Sequence, residues 1–239
     1  MFKENMAWNL IEREAATAAS NMEYDAKLLR ELVPSAAPIL HLYDWTRPSL
    51  TYGFFAHPEK LLNLKSIEKH GFDLARRPTG GGVVFHVWDL AFSVLIPSGS
   101  HLYSQNTLDN YEFINQVVFT VVQNFIGKST LMSLTLHDSM MKNPQQAFFC
   151  MARPTKYDLV VGNKKIAGAA QRKMKQGFLH QGTIALQFPD LNMLDELLPS
   201  EDVREAMRQT TFPLLGENDS IEEGRGQLRE LLKQNFLNL

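Results

Sequence analysis

The stretch Tyr157-Asp158-Leu159-Val160-Val161-Gly162-Asn163-Lys164-Lys165-Ile166-Ala167-Gly168 decides the fold, because two β-like runs meet in it at a two-residue turn. Gly162-Asn163 is typical of a tight hairpin, so we expect the runs to pair as antiparallel strands. In that register Val160 faces Lys165. Small apolar residues follow Lys165, so its side chain, and not that of Lys164, is predicted to point inward.

Working outward from the hairpin, β-like runs outnumber helices long enough to make parallel crossovers. The further strands are expected at 38–45, 49–53, 72–77, 83–86, 91–96 and 178–186, with the first two joined by a turn as strand–turn–strand. Helices are expected at about 7–32, 61–70, 107–125 and over most of 191–239, while 128–149 has no clear period. The sequence therefore predicts an α+β fold with a mixed, largely antiparallel sheet covered by helices.

The composition is that of an ordinary globular protein and excludes several classes. The 239 residues are 44% apolar and 21% charged, enough for one domain with a sizeable core. A net charge of −2 argues against a nucleic-acid partner. No apolar run approaches a membrane span of about 20 residues, and the N-terminus lacks the apolar core of a signal peptide. With Cys150 as the single cysteine, no intramolecular disulfide and no CxxC metal site can form, and we expect a cytoplasmic protein without a metal.

Three consecutive glycines, Gly80 to Gly82, need an explanation, because they cost backbone entropy and supply no packing. They suit a place where the main chain approaches a ligand closely, or where N–H groups converge on an anion or carbonyl oxygen. Arg76 and Arg77 precede them, and arginines hold carboxylates or phosphates bidentately. Neither GK[ST] nor GxGxxG is present, so the segment is either another kind of ligand loop or a plain surface turn.

Cys150 is the most informative reactive side chain. A lone cysteine is usually an inert buried residue, but Lys164 and Lys165 follow closely on the hairpin. A nearby ammonium favours the thiolate, the form that attacks thioesters. His86 and His180 lie in predicted strands, where histidines are more often hydrogen-bonded structural residues than catalysts.

These segments together resemble the superfamily of lipoate–protein ligases, octanoyltransferases and biotin–protein ligases. Residues 76–86 resemble its RRxSGGGAVxH loop, and residues 164–172 resemble its GKKxxGSAQRR signature. Residues 178–184 resemble its LxHGSI strand, with a histidine and a glutamine in transposed order. Upstream, residues 42–53 resemble its YxWxxPxxSxG segment and residues 21–25 its NMALD segment. The chain departs from the pattern where Val87-Trp88 replaces an aspartate and where Ala169 replaces a serine. The resemblance covers about residues 5–188 and implies the catalytic-domain fold of the biotin and lipoate–protein ligases.

Residues 150–160 favour transfer over ligation within this superfamily. They match the C-x-x-x-P-[ST]-x-Y-[DE]-L-V segment of its cysteine-dependent octanoyltransferases, and residues 106–111 resemble the helix start of the same group. ATP-dependent ligases usually carry a GRNDL-like segment there without cysteine, and they need a C-terminal accessory domain. Residues 191–239 are too few for one, so a single catalytic domain over 1–239 is expected.

The resemblance thus implies an enzyme that attaches an octanoyl or lipoyl group to a lysine of a lipoyl-carrier protein. It implies catalysis by Cys150 and Lys165, and the predicted substrate-binding residues are Arg77, Gly80, Gly81, Gly82, His86, Gly168 and His180. The expected donor is octanoyl-acyl-carrier protein, and the expected acceptors are the glycine-cleavage H protein or the lipoyl domains of 2-oxoacid dehydrogenases, with no cofactor and no membrane partner. The alternatives are an ATP-dependent lipoate–protein ligase, which needs ATP and Mg, and a degenerate relative that only binds lipoyl domains.

Overall fold

The computed structural model describes residues 7–141 and 143–239 and arranges them in two sheets covered by helices. The strands are β1 (Asn9–Glu12), β2 (Ile39–Leu42), β3 (Ser49–Tyr52), β4 (Asp73–Arg76), β5 (Val84–His86), β6 (Asp89–Pro97), β7 (Ser133–Leu134), β8 (Leu159–Val161), β9 (Lys164–Met174) and β10 (Gly177–Ala185). The helices are α1 (Ala18–Glu31), α2 (Leu64–Lys69), α3 (Thr107–Ile126), α4 (Leu191–Leu197), α5 (Glu201–Thr210) and α6 (Ile221–Leu237). Short 3-10 turns occur at Pro58–Lys60, Pro144–Phe148 and Cys150–Ala152.

The larger sheet has seven strands in the order β1-β2-β6-β10-β9-β8-β7. β1 and β2 run parallel, and the other neighbouring strands pair antiparallel. The smaller sheet has the order β4-β3-β5, with one parallel and one antiparallel pair. The predicted α+β class with a mixed, largely antiparallel sheet is confirmed.

The β8–β9 hairpin forms in the predicted register. Val160 pairs with Lys165 across the turn, and Gly162 takes a positive φ of 56° that favours glycine. The Lys165 side chain is buried and Lys164 is exposed, as the sequence predicts. β9 runs on to Met174, well past the predicted end, because β10 pairs with it over that length.

Two sequence expectations about the N-terminal part are wrong. The helix expected at about 7–32 begins only at Ala18, where the Thr17 side chain caps it, and residues 9–12 form β1 instead. Pairing with β2 outweighs the local helix propensity of that stretch. The expected strand–turn–strand over 38–53 also fails as a pair, because β2 joins the larger sheet and β3 the smaller. Residues 1–6 of the expected domain lie outside the described residues.

The two faces of the larger sheet are covered differently, and this difference places the site. Helices α3 and α6 pack on one face over a core that includes the fully buried Phe92, Phe178 and Phe236. Truncating one of these phenylalanines to alanine would cost about 3–5 kcal/mol. α1 contacts strands of both sheets on the opposite side. Within the described residues no helix is long and apolar enough to span a bilayer.

Candidate active site

A cavity of about 120 Å³ lies where the two sheets meet, and it brings most of the predicted site residues together. The predicted residues that line it are Arg77, Gly81, Gly82, His86, Cys150, Lys165 and Gly168. Gly80 and His180 are not part of its wall. Side chains from α1, both sheets and the Cys150 turn therefore converge on one space, although their sequence positions are far apart.

Lys165 is held at the cavity by a buried ion pair. Its Nζ lies 2.7 Å from Oδ2 of Asp158, whose side chain is completely buried, and it is within hydrogen-bonding reach of the Cys150 sulfur. The same Asp158 oxygen accepts hydrogen bonds from the backbone N–H and the hydroxyl of Thr155, at 2.6 and 2.8 Å. Such complete hydrogen bonding is what a buried carboxylate needs.

The electrostatics keep Lys165 positively charged. Burial alone lowers its pKa, but the Asp158 carboxylate and then Cys150 outweigh burial and raise the pKa above the ordinary value for lysine. A lysine in this state is an ammonium donor at neutral pH and not a general base. The geometry therefore places a fixed positive charge beside the thiol.

Gly168 is the residue that leaves room for this ion pair. A Cβ atom at position 168 would lie 2.1 Å from Cε and 2.3 Å from Nζ of Lys165, and 3.0 Å from Oδ1 of Asp158. No side chain fits in that space unless the lysine moves. The small residue that the sequence motif carries here is thus explained by the path of the Lys165 side chain.

The glycine segment positions Cys150 through backbone contacts. Val83 N–H donates to the Phe148 carbonyl at 2.6 Å, and Cys150 N–H donates to the Val83 carbonyl at 3.1 Å. A Cβ on Gly82 would lie 2.1 Å from the Phe148 carbonyl carbon, so the two segments can meet only if residue 82 is glycine. The sequence left a ligand loop and a plain turn open for this segment, and in the structure Gly82 packs closely against the segment that carries the cysteine.

Arg77 organises the glycine segment from within the protein. Its guanidinium donates to the carbonyls of Gly80 and Gly82, at 3.1 and 2.7 Å, and to the carbonyl and hydroxyl of Thr51, at 3.1 and 2.8 Å. Burial lowers the pKa of Arg77 to about 10, although Cys150 and Tyr43 act in the opposite direction. The arginine remains charged at neutral pH. Its donors hold the loop rather than lying free to hold a carboxylate or phosphate.

His86 is fixed at both ring nitrogens. Nδ1 lies 2.8 Å from Oδ2 of Asp89, and Nε2 lies 2.8 Å from the Thr51 hydroxyl. An ionised carboxylate only accepts, so Nδ1 carries the proton and Nε2 accepts from Thr51. The ring also stacks on Trp45 at 4.3 Å. His86 lines the cavity, but both of its nitrogens are already engaged.

The structure does not bring His180 to the cavity. Successive side chains of a strand point to opposite faces, and on β10 the neighbour Gln181 lines the cavity while His180 packs against Phe92 and Tyr111. Burial lowers the pKa of His180 to about 3, so the ring is neutral at physiological pH. Its expected contact with an acyl group is not supported by this geometry.

Comparison with known proteins identifies the family. The family described as "Lipoyl protein ligase A/B catalytic domain" matches residues 17–230. This chain belongs to that family.

Relatives of the lipoyl protein ligase A/B family support the expected activity class. An octanoyltransferase LipM from Anoxybacillus flavithermus is 32% identical over 212 residues, which cover 86% of this chain and 75% of the relative. The LipM of Bacillus subtilis is 30% identical over 210 residues, which cover 84% and 74%. The prediction of an acyltransferase that acts in protein octanoylation or lipoylation is confirmed.

Solved structures of the family share the fold. A putative lipoate protein ligase from T. acidophilum with bound lipoic acid superimposes with a TM-score of 0.70 at 25% identity, covering 97% of this chain and 86% of that one. A lipoate–protein ligase A bound with ATP gives a TM-score of 0.72 at 25% identity, with the same coverage. The predicted catalytic-domain fold is confirmed.

Where the sequence departs from the family motif after His86, a nearby residue supplies the missing carboxylate. The sequence carries Val87-Trp88 where an aspartate was expected after the histidine, and the structure supplies a carboxylate from Asp89 instead. Asp89 also accepts a very short hydrogen bond from the hydroxyl of Thr183. The loop histidine therefore has an acidic partner in spite of the substitution.

Several residues of the site, in the cavity wall or in contact with Lys165, were missed by the candidate list drawn from the sequence. Asp158 stood inside a quoted motif without a role, and the alternation of β10 would have placed Gln181 and Thr183 opposite His180. Met22 and Tyr43 also line the cavity, and they come from α1 and from the end of β2. Both lie inside quoted motifs, at residues 21–25 and 42–53, but nothing in those motifs gives either residue a place at the site, which they reach through packing of α1 and the larger sheet.

Proposed function

We propose that this chain transfers an octanoyl group from octanoyl-acyl-carrier protein to a lysine of a lipoyl-carrier protein, with Cys150 as the nucleophile. The observation that carries the proposal is the Lys165 ammonium, which contacts both Asp158 and the Cys150 sulfur at the cavity wall. A charged lysine beside the only cysteine is an arrangement that activates a thiol. The LipM relatives, named octanoyltransferases, point to the same acyl group.

The floor of the cavity supports an acyl chain of medium length. Thr183 on β10 pairs with Gly168 on β9 and with Ala91 on β6, so three small residues lie in a row across the sheet. Two strand spacings measure about 10 Å, and the seven carbon–carbon bonds of an octanoyl chain span about 8 Å when extended. Tyr43, which follows β2, stands at the far end of the row. Burial of six methylenes there would contribute roughly 5 kcal/mol.

The first half-reaction moves the acyl group onto the enzyme. The Cys150 thiolate attacks the carbonyl carbon of the donor thioester and forms a new carbon–sulfur bond. The bond to the donor sulfur breaks, and the donor leaves as a thiolate that takes up a proton. The Lys165 ammonium, fixed by Asp158, stabilises the negative charge that develops on the carbonyl oxygen.

The second half-reaction forms the amide on the carrier. The neutral amine of the acceptor lysine attacks the acyl-Cys150 carbonyl, and the Cys150 sulfur departs. The amine proton passes to that departing thiolate, so no separate base is consumed. Lys165 is already protonated, and both nitrogens of His86 are engaged, so neither side chain fits the role of general base.

Intact mass spectrometry tests the proposal. Mixing the protein with octanoyl-acyl-carrier protein, without ATP, should add one octanoyl mass that hydroxylamine removes, and Cys150→Ser should form no such adduct. Transfer of the octanoyl group to a glycine-cleavage H protein or an isolated lipoyl domain should follow. Labelling of that domain by the Cys150→Ser variant, dependent on ATP and free lipoate, would instead establish the ligase alternative.

A further inference from the structure

The hydroxyl of Tyr111 joins helix α3 to the carboxylate that holds Lys165. It donates to Oδ1 of Asp158 at 2.6 Å and accepts from the backbone N–H of Ala169 at 2.9 Å. Asp158 Oδ2 is occupied by Lys165 and Thr155, so Tyr111 is the side chain that fixes the other carboxylate oxygen. Burial first, and then the Asp158 charge, raise the pKa of Tyr111, so the hydroxyl keeps the proton that it donates.

Helix α3 makes a second hydrogen bond to the same segment, from a residue one turn further along the helix. The amide of Asn115, which is buried, donates to the carbonyl of Tyr157 at 2.8 Å. Residues four apart lie on the same face of a helix, so Tyr111 and Asn115 act on the Tyr157–Asp158 segment together. Tyr157 has a φ of 67°, which is costly for a residue other than glycine and persists only where contacts hold it.

The ring of Tyr111 packs against other buried rings. The His180 ring lies 5.5 Å from it, and Phe92 backs the histidine in turn. The neutral His180 therefore has a place in the molecule as packing behind Tyr111 rather than at the cavity wall.

We infer that Tyr111 is a positioning residue, which orients Asp158 and thereby keeps the Lys165 ammonium beside the Cys150 sulfur. This inference rests on the proposed function for its link to acyl transfer, but its geometry does not depend on it. Asn115 assists from the same helix face. The groups that face Lys165 are Asp158, which directly precedes β8, and Cys150 on its 3-10 turn, so loosening Asp158 changes the main electrostatic partner of the lysine. Cys150 itself is faced by Lys165, Arg77 and Tyr111.

Two measurements on Tyr111→Phe test the inference. Because Cys150 is the only cysteine, the rate of its alkylation by iodoacetamide as a function of pH reports how strongly the site favours the thiolate. We expect the midpoint of this profile to move to higher pH in Tyr111→Phe and further in Asp158→Asn. Formation of the octanoyl adduct from octanoyl-acyl-carrier protein should be about tenfold slower in Tyr111→Phe, as expected for a lost hydrogen bond to a charged group.

Tyr24→Phe is the matched control, because it removes a hydroxyl from a surface pocket that shares no lining residue with the Cys150 cavity, and its profile should coincide with that of the parent. An alkylation profile unchanged in folded Tyr111→Phe, even with a lower melting temperature, would overturn the inference. If Tyr111→Phe does not fold, Asn115→Ser takes its place and should shift the profile in the same direction. A parent that alkylates normally but forms no octanoyl adduct would refute the proposed function alone, since the alkylation profiles still decide the role of Tyr111.

Discussion

At the scale of single residues, the chemistry of the site depends on a competition over Lys165. Removing an ammonium from water disfavours the charge, and a close, fully hydrogen-bonded carboxylate more than restores it. Gly168 contributes by having no side chain, since a Cβ would occupy the path of the lysine. The proposed nucleophile Cys150 thus depends on two residues, Asp158 and Gly168, that take no chemical step in the proposed reaction.

The ion pair should be visible as a pH-dependent part of the stability. The pKa of Lys165 is raised in the folded state, so its stabilising effect is complete below the unfolded lysine pKa of about 10.4 and is lost as the pH rises through the folded value. Lys165→Met leaves the buried Asp158 without its cation and should lower the free energy of unfolding by about 3 kcal/mol at pH 7. The measurement is chemical denaturation of the parent and the variant from pH 7 to pH 11.

The difference between Lys165→Met and the parent should shrink above pH 10.4, because the lysine of the unfolded parent loses its proton there and that of the folded parent loses it at the higher folded pKa. Lys164→Met, on the exposed face of the same strand, serves as the control and should cost little at any pH. A constant difference across the whole range would show that lost packing, and not the charge, causes the destabilisation.

At the scale of elements, the sequence predicted what depends on neighbouring residues and failed where distant strands compete. The β8–β9 hairpin, α3 and the inward Lys165 all follow from turn chemistry and periodicity. β1 could not be predicted in this way, because its residues have helical propensity and form a strand only by pairing with the parallel strand β2. The packing of the glycine segment against the Cys150 turn could not be predicted from the sequence either, because the two segments are far apart in the chain and become neighbours only on folding.

That packing predicts a sharp contrast between two neighbouring glycines. A Cβ on Gly82 would overlap the Phe148 carbonyl, whereas a Cβ on Gly80 meets nothing within 4 Å. Gly82→Ala should therefore displace the Cys150 turn and lower the rate of octanoyl-adduct formation about a hundredfold or more, as misplacement of reacting groups by about 1 Å does. Gly80→Ala should retain most of the rate. Circular dichroism and adduct kinetics measure the two effects, and equal losses in both variants would mean that the segment contacts substrate directly.

At the scale of the whole molecule, the cavity forms where the larger sheet and the smaller sheet lie side by side, with α1 packed against both. The motifs place Arg77, His86, Cys150 and Lys165 in one site by family resemblance, and the structure brings these residues to one cavity. The quoted motifs include Tyr43, but they do not indicate that it stands at the far end of the cavity. Tyr43 stands there because β2 pairs with β6 rather than with β3, and that choice is made by the whole sheet.

An acyl chain lying in this cavity would contact both sheets and should stabilise the whole domain. Six methylenes buried in the native state and exposed in the unfolded chain amount to roughly 5 kcal/mol, and each kcal/mol raises the melting temperature of a protein of this size by about 2–4 °C. Octanoyl-Cys150 protein should therefore melt roughly 10 °C above the free protein in calorimetry. Ala91→Phe fills the row between Thr183 and Tyr43, so its adduct should show little or no rise over its own free form.

Equal melting temperatures for free and acylated parent protein would place the chain outside the cavity, because a solvent-exposed octanoyl group stabilises nothing. A rise that survives in Ala91→Phe would place the chain elsewhere in the fold and would remove the row of small residues as its binding site.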